Sequence, residues 1–257
     1  MGGSSHRRKD LPPEIIDLIN SKLKSVKIEK KFDKNGSRKR STGGVISNQP
    51  LICGGFIDND DRIKAKHVSF IGMPNHYFKI MIPRSFASSV VMNDSYIWVT
   101  GGCSKEGLEK STEIISLDQP PVSGPDLPFT VSHHSMVLVD PKTIYLIGGF
   151  QEYHQRSNKT WIIDPTNNFQ IKVGPSLNIG RTSFSCSKMK IEGRIFLVVA
   201  GGVKDSLTPP TIMGDPGDEY LDSVELLDIT CPQKGWEMGN FNLILVSAFV
   251  FVFSKYQ

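Results

Sequence analysis

Four short stretches have the same shape: Pro50-Leu-Ile-Cys-Gly-Gly55, Ile97-Trp-Val-Thr-Gly-Gly102, Ile144-Tyr-Leu-Ile-Gly-Gly149 and Leu197-Val-Val-Ala-Gly-Gly202. Each is an apolar run closed by a glycine pair. The pairs begin at Gly54, Gly101, Gly148 and Gly201, so the spacings are 47, 47 and 53 residues. A period of this size marks a repeat architecture and takes precedence over any single motif. Runs this short and apolar read as buried strands, and glycines at their ends let backbone approach backbone. Each pair is expected to end an inner strand close to a common axis.

Outward from each pair the same order recurs. Upstream lie strand-like stretches closed by turn residues: Ser85 to Met92 before Asn93-Asp94, Ser132 to Val139 before Asp140-Pro141, and Thr182 to Lys190 before Glu192-Gly193. Each makes a hairpin with the run that follows. The first unit has only Gly43 to Asn48 for this partner. Downstream comes a polar loop and a third strand, at Lys66 to Ile71, Thr112 to Leu117, Lys159 to Asp164 and Ser223 to Asp228. A fourth is marked by Tyr77 to Ile82, Phe169 to Val173 and Trp236 to Met238, while Val122 to Leu127 is mostly turn residues. Four antiparallel strands per unit make a propeller blade. The Pro, Gly and Asp-rich stretch from Lys204 to Glu219 reads as an inserted loop.

This pattern resembles the kelch repeat family, in which a glycine pair follows the second strand, an aromatic residue follows the third, and an Arg often opens the first. Phe169 and Trp236 fill the aromatic position, and Arg38, Arg84 and Arg181 the Arg position, while the third unit offers Ser132-His133. The family's Tyr in the third strand is absent from all four units. A WD-repeat ring is disfavoured, because none of the three Trp is followed by Asp. The resemblance covers residues 38–239 and implies an all-β, kelch-like propeller of about four blades, an incomplete ring, with a short N-terminal helix. It also implies a protein-binding role.

The 257 residues carry 39% hydrophobic and 22% charged side chains, enough for a real core. Charge is uneven: residues 1–44 hold 12 Lys and Arg against 5 Asp and Glu, which leaves the remainder with a small acidic excess. A nucleic-acid role would therefore rest on the arm alone, and no aromatic platform is interleaved with its Arg38-Lys39-Arg40 run. Residues 1–37 read as a basic arm with a helix from about Leu11 to Val26. Its string LPPEIIDLINSKL is similar to the opening of an F-box, which implies, as the alternative to a plain scaffold, a substrate-recognition subunit of a ubiquitin ligase. Residues 240–257 form a hydrophobic tail. Its run from Phe241 to Phe253 is shorter than a membrane span and is open to three readings: a closing strand, a partner-binding strand, or a sequence foreign to the propeller. An uncharged run rich in Val and Phe also favours self-association.

Four scattered cysteines give neither a disulfide scaffold nor a zinc pattern, and the N-terminus has no secretory core, so a cytoplasmic protein with reduced thiols is expected. No nucleophile elbow or phosphate loop occurs. Cys186 lies in a strand and reads as an inert thiol. His133-His134 are adjacent on a strand, point to opposite faces and are poorly placed to share a metal. Asp58, Asp60 and Asp61 lack the Gly and distal Glu of a calcium loop. The expectation is a protein-binding module with no catalytic residues, cofactor or metal. Its contact residues lie on the loops after the glycine pairs: Asp60, Asp61 and Arg62; Lys105 and Glu106; Glu152, Tyr153, His154 and Arg156; and Asp215, Asp218 and Glu219. Gly54, Gly55, Gly101, Gly102, Gly148, Gly149, Gly201 and Gly202 are read as structural.

Overall fold

The computed structural model describes residues 38–57, 66–72, 77–151, 155–191, 193–206 and 217–239. The expected N-terminal helix, the C-terminal tail, and Asp60, Asp61, Arg62, Glu152, Tyr153, His154 and Asp215 lie outside the described residues. The first unit supplies β1 (Arg38–Lys39), β2 (Thr42–Ile46), β3 (Gln49–Cys53), β4 (Phe56–Ile57), β5 (His67–Phe70) and β6 (Tyr77–Lys79). The second supplies β7 (Ser88–Met92), β8 (Tyr96–Thr100), β9 (Cys103–Ser104), β10 (Gly107–Leu108), β11 (Thr112–Ser116) and β12 (Val122–Ser123). The third has β13 (Ser135–Asp140), β14 (Thr143–Ile147), β15 (Thr160–Asp164) and β16 (Gln170–Val173). The fourth has β17 (Ser185–Ile191), β18 (Arg194–Ala200), β19 (Val203–Asp205), β20 (Asp218–Tyr220), β21 (Val224–Asp228) and β22 (Glu237–Gly239).

Each unit folds into one four-stranded antiparallel sheet in chain order: β2-β3-β5-β6, β7-β8-β11-β12, β13-β14-β15-β16 and β17-β18-β21-β22. This is a four-blade propeller arrangement. The first unit is complete as well. All five residues of β2 pair with β3, because Ser47 and Asn48 both take positive φ and close a tight hairpin. The hairpins close at their predicted turns, with Asn93 and Asp94 also at positive φ.

The first strands of successive blades lie against one another, β2 on β7, β7 on β13, and β13 on β17, so they line the inside of the arc. The glycine pairs therefore end the second strand, one step out from the innermost. Three cores join the blades. Leu51, Val68 and Phe70 meet Ile97, Val99 and Ile115 between blades 1 and 2. Val90 and Trp98 meet Met136, Leu146 and Ile163 between blades 2 and 3. Tyr145 and Ile147 meet Leu197, Val199 and Leu227 between blades 3 and 4. Among the described residues no such core joins blade 4 to blade 1. None of these residues forms a helix long and apolar enough to cross a membrane.

Candidate functional site

The glycine pairs do more than admit close packing: each hooks the blade that follows. Gly55, Gly102 and Gly149 donate their N–H groups to the carbonyls of Arg84, Val131 and Arg181, at 2.8, 2.8 and 2.9 Å. These carbonyls stand on the linkers entering blades 2, 3 and 4. A Cβ on Gly101 would lie 2.3 Å from the Val131 oxygen, and φ is +58° there, so only glycine fits.

The same linkers carry a buried ion pair. In blade 2, Arg84 Nη2 donates to Glu113 Oε1 at 2.9 Å and Nη1 to the carbonyls of Gly101 and Ser111, both at 2.8 Å. Glu113 also accepts the N–H groups of Met81 and Ile82. Blade 4 repeats this with Arg181 and Glu225, 2.6 Å apart, and Glu225 accepts from Asn178 and Ile179. Burial pulls the pKa of Arg181 below its ordinary value, while Glu225 holds it up. Blade 3 has Val131 and Trp161 at these places. Its counterpart of Met81 and Asn178 is Pro128, which has no N–H to satisfy. Charge, counter-charge and donor are thus absent together. This register puts the third unit's counterpart of the family Arg at Val131, one residue before the expected Ser132-His133. Arg38 falls at the same place in the first unit, since Lys39 pairs with Phe56 as Ser85 pairs with Cys103.

Two residues after each of these positions, the backbone turns left-handed: Arg40 (φ 58°), Phe86 (56°), His133 (55°) and Ser183 (53°). A large side chain in that region is strained. The four are strung together, with Phe86 N–H donating to the Arg40 carbonyl at 3.0 Å, His133 to Phe86 at 2.9 Å and Ser183 to His133 at 3.3 Å. Their side chains form a stack at the glycine-pair end of the arc. The Arg40 guanidinium lies 4.6 Å from the centroid of the Phe86 ring, which stacks on the His133 imidazole at 3.5 Å. Phe150 meets His133 edge-on, and the Arg156 guanidinium covers Phe150. Burial, then Arg40 and Arg156, lower the pKa of His133 to about 4, so the stacked ring is neutral at pH 7.

His134 points elsewhere, as its place on a strand dictates. Its Nε2 lies 2.9 Å from Thr100 Oγ1, and burial lowers its pKa to about 3. The two imidazoles have separate neighbours, and no group of three metal-ligating side chains is found among the described residues. Burial raises the Cys186 thiol to about 12, which leaves it protonated.

The described loop residues fall into two groups. Lys105 and Glu106 form the exposed tip between β9 and β10 and pair with each other at 3.2 Å. Arg156 has a buried side chain instead. It donates to Asp205 at 2.6 Å and pairs with Asp218, clamping the base of the inserted loop to blade 3. Glu219 pairs with Lys204 across the same ribbon, β19 with β20. The sequence reading missed the row Arg40, Phe86, His133 and Ser183. The signal was available: aligning the units on their glycine pairs puts these four in one column.

No family model matches the chain, and no curated protein matches it in sequence. Its fold is similar to that of YjhT, a propeller protein, with a TM-score of 0.62 at 15% identity, over 79% of this chain and 71% of that one. That likeness concerns the fold.

Proposed function

We propose that this chain is a kelch-type, non-catalytic scaffold of the cytoplasm that binds another protein at the glycine-pair end of its arc. The propeller fold is consistent with an interaction scaffold. One observation carries the choice of surface. Four units hold a non-glycine residue left-handed at the same place, and three of those side chains, Arg40, Phe86 and His133, are stacked at that end. Strain repeated in register points to function, and aromatic and Arg side chains dominate interface energetics. The exposed Lys105-Glu106 tip and the Arg156-clamped ribbon flank the stack.

The test separates binding from stability. Phe86→Gly relieves the left-handed strain and deletes the ring, so the folded chain should melt no lower while losing partners cross-linked by the wild type in cells. Retention of the same partners by Phe86→Gly and Arg40→Glu overturns the assignment. The string at residues 11–23 supports the second reading, a ubiquitin-ligase receptor. There, Ile16→Asp with Ile19→Asp should abolish adaptor capture and leave the propeller's partner bound; recovery of no adaptor by the wild type removes that reading.

A further inference from the structure

The two outward faces of the arc differ. On blade 1 that face carries Gly43, Val45 and Ser69, and Val45 is 44% exposed. On blade 4 it carries Phe196 and Val198 from β18 and Val224 and Leu226 from β21, because their neighbours Leu197, Val199 and Leu227 point into the core with blade 3. Phe196, Val224 and Leu226 are only 7%, 2% and 3% exposed, yet none belongs to the three cores that join the blades. The corresponding face of blade 2 carries Val90 and Trp98, and the next blade's first strand packs on it.

The spacing of the chain after β22 matches what such an occupant needs. Gly124, Gly174 and Gly239 are equivalent: the first two bond the carbonyls of Thr112 and Thr160 after the fourth strand, and Gly239 pairs with Val224. Seven and eight residues beyond Gly124 stand Val131-Ser132, and beyond Gly174 stand Arg181-Thr182; beyond Gly239 the sequence has Val246-Ser247. Eleven residues on, the next first strand begins at Ser135 and Ser185, and the matching residue is Val250. Residues twelve and fourteen past the glycine face the preceding blade. Met136 and Leu138 pack into the core with blade 2, while Cys186 packs against blade 3 and Lys188 Nζ reaches the Val139 carbonyl at 2.8 Å. The corresponding tail residues are Phe251 and Phe253.

We propose that residues 250–253 of the same molecule lie on the outward face of blade 4 as the first strand of a fifth sheet, with Phe251 and Phe253 over Phe196, Val198 and Leu226. Val246 and Ser247 take the linker places held elsewhere by Val131-Ser132. The Val246 carbonyl stands where the Gly202 N–H can hook it. This reading gives the apolar tail an occupied place within the molecule and leaves self-association through it as the competing outcome.

The test uses the full chain with p-benzoylphenylalanine at position 251, prepared as an equal mixture of nitrogen-15-labelled and unlabelled protein and irradiated. Adducts to β18 or β21 should join peptides of one isotope at least about tenfold over mixed pairs. Mixed pairs at parity make a second copy the occupant and overturn the proposal, as do adducts confined to other blades or none at all. Independently, Phe251→Asp with Phe253→Asp should speed amide exchange in β18 and β21 about tenfold or more while leaving β8 unchanged. Unchanged exchange in β18 and β21 overturns it.

Discussion

Replacing Glu225 by Gln keeps the shape of the side chain and removes its charge. Arg181 then remains cationic with no anion beside it, and both side chains are fully buried in the wild type. Removing one partner of a buried pair costs about 3–5 kcal/mol, because the other charge is left uncompensated. For a chain of this size each kcal/mol lowers the melting temperature by about 2–4 °C, so Glu225→Gln should lower it by roughly 6–20 °C. Scanning calorimetry measures the shift, and urea titration measures the free energy. Blade 3 supplies the second arm. Changing Asn178→Pro, Arg181→Val and Glu225→Trp together copies Pro128, Val131 and Trp161, removing donor, cation and anion at once. Buried ion pairs replaced as a unit by apolar groups are often neutral in stability. The triple variant should therefore melt closer to the wild type than Glu225→Gln does. A loss under about 1 kcal/mol for the single change, or a triple variant as unstable as the summed single changes, refutes the argument that the pair acts as one unit.

Acid sensitivity follows from the histidines. Their folded pKa values, about 4 for His133 and about 3 for His134, lie below the ordinary 6.5. Between those limits the unfolded chain binds more protons, so their contribution to stability is fully present above pH 6.5 and lost as pH falls toward 4 and 3. His133→Phe, which copies Phe86 of the preceding blade, should reduce the loss measured by urea titration between pH 6.5 and 4; an unchanged slope contradicts the burial of that ring. Gly148→Val places a Cβ 2.8 Å from the Arg181 carbonyl at φ +59°, whereas Gly193→Ala at φ +77° meets nothing within 4 Å. The first should cost on the order of 3 kcal/mol and the second about 1–2 kcal/mol, so equal melting temperatures would remove the hook.

The fold was legible because its signal is repeated. An apolar run ending in two glycines four times over forces strand, turn and strand into the same order, and the structure follows that order to within a few residues. What sequence reading lost was register at single positions. Ser132-His133 stood in the expected Arg place only because Val131 has no charge to mark it, and its compensations, Trp161 and Pro128, are distant in sequence. The loop residues show a second limit. Arg156 has the residue type of an interface anchor, but whether a guanidinium is free depends on what the insertion brings beside it, here Asp205 and Asp218. The left-handed row was hidden because Arg, Phe, His and Ser share no chemistry; they share only a backbone angle imposed by the linker.

The direction of the glycine hooks bears on synthesis. Gly55 bonds a carbonyl 29 residues farther along the chain, Gly102 one 29 residues on, and Gly149 one 32 residues on. No blade can complete its hook until the linker of the next has left the ribosome. At roughly 5–20 residues per second that wait lasts about 1.5–6 s, during which the newest blade shows its outward apolar face to the cell. The chain is thus assembled as a ratchet running from the N-terminal side, each unit locked by its successor, and the blade most exposed to chaperones and proteases is always the last one made.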